Sequence, residues 1–117
     1  MRKIFFLVCL FSLYANAFDL IHPLNFKGTE KEKEEVLSFI TKNVKDTYSK
    51  IGMDNPSTLR MMENQELKSF KELTSATNKV LLDDVISKYC NIGMCNYNTI
   101  NMMYNEELKA SKQKLAW

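Results

Sequence analysis

The residues best equipped for chemistry in this chain carry sulfur. Six methionines (Met53, Met61, Met62, Met94, Met102 and Met103) and two cysteines (Cys90 and Cys95) lie between positions 53 and 103. Thioethers and thiolates are soft ligands that suit Cu(I), so Met61, Met62, Met102 and Met103 form one candidate metal set. Against it, no Met-x-Met or Met-x-x-Met spacing draws such ligands onto a single ion, and methionine also fills irregular cores. Packing accounts for Met53, Met62, Met94 and Met103. Met61 and Met102 lie off the apolar stripe at helical spacing. With Asn64 and Asn105 they outline a possible partner surface.

Other reactive groups are few. Glu66 and Glu107 fall inside apolar stripes, where a carboxylate could donate a proton or hold a hard metal. Buried carboxylates are usually paired or hydrogen-bonded, so a structural acceptor bonded to corner N–H groups of a neighbouring unit is the favoured reading. The only histidine, His22, lies beside Pro23 with no His or Cys nearby in sequence to complete a ligand set. No glycine-rich phosphate loop, nucleophile elbow or histidine pair is present. No cofactor and no enzymatic activity is expected.

Cys90 and Cys95 are five positions apart. That spacing is neither a Cys-x-x-Cys redox pair nor a haem attachment site. In an oxidising compartment the pair is expected to form a disulfide that staples a corner.

The elements that position these residues follow from an internal repeat. Residues 51–72 (IGMDNPSTLRMMENQELKSFKE) and 92–113 (IGMCNYNTINMMYNEELKASKQ) are identical at 12 of 22 positions with an offset of 41. A period near 40 with helical patterning marks a duplicated helical unit. In each copy Tyr-x-x-x-Gly-Met-x-Asn has a physical reading. Gly52 and Gly93 fit the left-handed residue past a helix end, and Met53 and Met94 pack back on Tyr48 and Tyr89. Asn55 and Asn96 are good N-caps for the next helix.

The spacing predicts a first helix after the capping box Thr29-x-x-Glu32, burying Val36, Leu37, Ile40, Val44, Tyr48 and Ile51. The second helix of each unit spans roughly 56–72 and 97–115 by its apolar spacing. Its stripes are Leu59, Met62, Leu67, Phe70 and Leu73, then Ile100, Met103, Tyr104, Leu108 and Leu115. Residues 73–77 hold no Gly or Pro, so one bent helix over 56–91 rivals two separate helices. Trp117 is expected to dock on the bundle. Residues 18–28 read as an extended arm laying Phe18, Leu20, Ile21, Leu24 and Phe26 over the core.

The first 17 residues read as a cleavable signal peptide: basic Arg2 and Lys3, an apolar run over 4–14, and Ala15-Asn16-Ala17 as the cleavage site. Arg2 and Lys3 account for the chain's net charge of +2, so residues 18–117 are neutral overall. No basic stripe points to nucleic acid, and no later stretch is long and apolar enough to span a membrane.

These readings combine into an all-α chain: signal peptide 1–17, arm 18–28, and one helical domain over 29–117. The domain would hold two repeats, about 33–73 and 74–114, packed as a small four-helix bundle. The expected function is a non-enzymatic interaction module in the bacterial periplasm, with another envelope or periplasmic protein as partner. Soft-metal binding through Met and Cys sulfur is the alternative.

Overall fold

The computed structural model describes residues 20–117, so the signal-peptide reading of residues 1–17 and the arm position Phe18 lie outside the described residues. Within them the chain is all-helical. A 3-10 turn over Pro23–Asn25 precedes four helices: α1 (Glu30–Ser49), α2 (Pro56–Leu73), α3 (Lys79–Asn91) and α4 (Tyr97–Ala110). No helix among the described residues is long and apolar enough to cross a membrane.

Helix α1 starts at the expected capping box. The Glu32 N–H donates to Thr29 Oγ1 at 3.2 Å, and the Thr29 N–H donates to Glu32 Oε1 at 3.2 Å. The returned N–H bond holds the Glu32 carboxyl below the usual carboxylate range. Val36, Ile40 and Val44 are buried, and Tyr48 packs partly against the core. Leu37 and Ile51 are exposed, contrary to the predicted stripe. Leu37 sits on the flank of that stripe, and Ile51 falls in the turn beyond the last helical residue, Ser49.

Two helices, not one bent helix, occupy residues 56–91. Helix α2 closes at Leu73 with Thr74 as its C-cap, and the chain turns through Ala76, whose N–H donates to the Leu73 carbonyl. Asn78 then caps α3, its Oδ1 accepting the Leu81 N–H at 3.0 Å.

Helix α4 is shorter than predicted, 14 residues against 18 in α2. Leu115 and Trp117, expected to pack, are fully exposed. The reason lies in the substitutions at the 41-residue offset. Where α2 has Phe70 and Leu73, the later segment has Ser111 and Lys114. Without those side chains nothing draws a further helical turn onto the core.

The helices pack in the order α1, α2, α4, α3, with the 3-10 turn against α2. Helices α1 and α2 form a hairpin, as do α3 and α4. Helices α2 and α4 run parallel, because Glu66, Ser69 and Glu72 meet Tyr97, Asn98 and Asn101 in ascending order. One core cluster unites buried residues of all four helices. Tyr97 is at its centre, edge-on to Phe39 and Phe70 with ring centroids 5.5 and 4.9 Å away. Its hydroxyl accepts from the Ile21 N–H at 3.1 Å and donates to the Ile21 carbonyl at 2.8 Å. Those two bonds strap the arm across the bundle.

Candidate functional site

The two Gly-Met corners turn the chain with the same backbone bonds. Gly52 has φ 71° and Gly93 φ 81°, the region open to glycine and costly for other residues. The Met53 N–H reaches the Tyr48 carbonyl at 2.9 Å, and the Met94 N–H reaches the Tyr89 carbonyl at the same distance. Gly52 and Gly93 donate to the carbonyls of Ser49 and Cys90. Together these are the paired bonds of a Schellman corner.

Side chains then close the corners differently. Cys90 and Cys95 are joined by a disulfide, with Cα atoms 4.0 Å apart. That lies below the usual range of about 4.4–6.8 Å, since both residues flank one tight turn. At the matching positions of the first corner, Ser49 Oγ donates to Asp54 Oδ2 at 3.4 Å. The Cys95 carbonyl also accepts from Asn43 Nδ2 of α1 at 3.1 Å, tying the second corner to the first hairpin.

The main charged contact between the hairpins is Glu66, only 5% exposed. The Tyr97 N–H donates to its Oε1 at 2.8 Å, and the Asn98 N–H to its Oε2 at 3.0 Å. Asn96 completes the cap: its Oδ1 accepts from the Thr99 N–H at 2.8 Å, and its own N–H donates to the Met94 carbonyl at 3.0 Å. The four leading N–H groups of α4, orphaned by helix geometry, therefore all have partners. Burial pushes the Glu66 carboxyl above its usual range, and the two N–H bonds pull it part of the way back. With both oxygens engaged by backbone, Glu66 acts as a structural acceptor. A polar cavity of about 150 Å³ adjoins it, lined in part by Tyr48, Met62, Asn96 and Thr99.

Glu107 does not repeat this arrangement. It is exposed, not within a buried stripe, because among the described residues no further helix start lies beside α4 to receive it. Asn55 also departs from Asn96. It occupies the N-cap position of α2 but makes no side-chain cap bond, and its Nδ2 donates to Ser57 Oγ at 2.7 Å. Pro56 fills the N1 position, where a missing N–H costs nothing.

Met61 and Met102 are 55% and 54% exposed, with Asn64 and Asn105 also exposed. Met62 and Met103 pack partly against the core. Met53 and Met94 remain partly open beside their corners. The disulfide engages both cysteine sulfurs, so a copper site would rest on thioethers alone. Among the described residues no group of three His, Cys, Asp or Glu side chains is placed to hold a metal ion, and every buried side-chain N or O has a hydrogen-bond partner.

Sequence reasoning missed three positions. Tyr97 was not in the stripe because it opens a helix, where core residues are not expected. Asn78 carried a legible signal, a good N-cap residue before an apolar-periodic run. His22 is more than a loop residue: the Leu24 N–H donates to its Nδ1 at 3.1 Å, which leaves Nε2–H to donate to Asp83 Oδ1 at 2.6 Å. The Lys79 ammonium and then the His22 contact hold the Asp83 carboxyl below its usual range.

No protein family, curated protein or solved structure matches this chain.

Proposed function

We propose that this chain is an exported, non-enzymatic interaction module built from two copies of one helix–corner–helix unit, acting in the bacterial periplasm on another envelope protein. The observation that carries the reading is the pair Met61 and Met102. They occupy equivalent positions at the 41-residue offset, and both keep more than half their surface in solvent. Methionine is over-used at binding surfaces because its flexible, polarisable side chain adapts to a partner. The remaining chemistry is already spent on structure: Glu66 on the α4 N-terminus, the cysteines on each other. A disulfide suits an oxidising compartment, which supports export.

A photo-crosslinking residue at position 61 or 102 of the exported full-length protein tests the proposal. A discrete crosslinked product is expected from both positions, and none from a control site on α1 such as Lys45. Met61→Lys combined with Met102→Lys should abolish the product while the fold survives, since exposed substitutions cost within about ±0.5 kcal/mol. Products at all sites alike, or unchanged capture by the double variant, would remove the Met surface as the binding face.

A further inference from the structure

The first hairpin carries an apolar groove. It lies between α1 and α2, encloses about 330 Å³, and has walls of Phe26, Leu37, Leu67 and Phe70, with Lys33 and Lys71 among its lining residues. That volume is near the lower end of small-molecule sites, roughly 300–1,000 Å³. Phe26 and Phe70 meet edge to face at 5.1 Å at one wall of the groove. At the 41-residue offset the matching positions of Leu37 and Phe70 are Asn78 and Ser111. Two of its apolar lining residues thus have polar counterparts in the second copy.

Leu37 is 48% exposed. It contributes little to the core, yet it presents an isobutyl group to the groove. The only charged lining residues are the two lysines. Lys33 bonds Glu30 at 3.1 Å, an exposed pair of small energetic worth. Lys71 joins no ion pair among the described residues. An apolar trough bordered by cations is complementary to an apolar chain with an anionic head. A larger cleft between the arm and α1 has Ile21 and Phe39 in its lining, with Lys31, Lys42, Glu34, Glu35 and Asp46 around them. Its mixed charges select no ligand sign.

We infer that the groove binds an acyl chain bearing a carboxylate, the chain lying on Leu37, Leu67 and Phe26 and the head group meeting Lys71 and Lys33. This site is separate from the Met61/Met102 face, so either reading can fail without the other.

Calorimetric titration of the full, disulfide-intact protein with dodecanoate, below its micelle concentration, tests the assignment. Dodecanoate should bind one per chain. Dodecyltrimethylammonium, with the same tail and opposite charge, should bind at least about tenfold more weakly, the range of one charge-assisted hydrogen bond. Leu37→Glu should abolish binding, and Lys71→Glu should weaken it about tenfold. Both positions are exposed, and circular dichroism checks that each variant keeps its helices. Leu37→Met should retain binding, which separates loss of the apolar wall from loss of the fold. Equal affinity for the two amphiphiles, undiminished binding by Leu37→Glu, or binding of an acidic amphipathic peptide but not dodecanoate would each overturn the acyl-carboxylate assignment.

Discussion

Two glutamates at equivalent positions meet different fates. Glu66 on α2 is buried and takes the first two N–H groups of α4, whereas Glu107 on α4 faces solvent. The surrounding sequence follows suit. Phe70 and Leu73 near Glu66 become Ser111 and Lys114 near Glu107, and Tyr97 at the receiving helix start corresponds to Pro56 at the other. Similar segments thus produce one filled junction and two open ends. The ends carry polar or N–H-less residues where the junction carries apolar ones.

The largest expected effect tests that contrast. Glu66→Ala leaves the buried Tyr97 N–H and the part-buried Asn98 N–H without their acceptor, at a cost of about 2–3 kcal/mol. Glu107→Ala should stay within about ±0.5 kcal/mol. Urea unfolding of both variants gives the comparison, and equal losses would break it. The corners come next. Replacing Cys90 and Cys95 with Ser should cost ~2 kcal/mol for so short a loop, while Asp54→Ala at the matching position should cost no more than about 0.5 kcal/mol, its partner being an exposed hydroxyl. Gly52→Ala and Gly93→Ala should each cost ~1 kcal/mol. They should match, because an added Cβ meets nothing within 4 Å at either site and only the positive φ penalises it.

The smallest effect is a pH dependence. Because burial raises the folded-state value of Glu66 above 4.5, the folded chain holds that proton more tightly than the unfolded chain. Its contribution is complete below the unfolded value and is lost as pH rises through the raised folded value. Relative to Glu66→Gln, wild-type stability should therefore decline across that window. A rise over the same window would mean that the two N–H bonds outweigh desolvation.

Much of this was legible in the residues. The Gly-Met corners, the capping box and the buried positions Val36, Ile40, Val44, Leu59, Phe70, Leu73, Ile100 and Tyr104 follow from local rules: positive φ for glycine, side-chain caps and helical periodicity. What was not legible depended on neighbours distant in sequence. Glu66 lies within the apolar stripe of α2, where a charge is not expected to be buried. Only the approach of α4, with bare N–H groups to satisfy, decides that it is. Similarly, nothing local to Leu115 and Trp117 told that their helix would stop at Ala110. The loss of Phe70 and Leu73 counterparts explains it once the packing is seen.

The account rests on the carboxylate of Glu66 joining the two hairpins at the start of α4. Amide hydrogen exchange measures that contact residue by residue. The Tyr97 and Asn98 amides should be protected in the native protein and lose protection in Glu66→Ala. The Ser57 amide, at the uncapped start of α2, should exchange fast in both. Protection at Tyr97 and Asn98 that survives the removal of Glu66, or that was never there, would contradict the account.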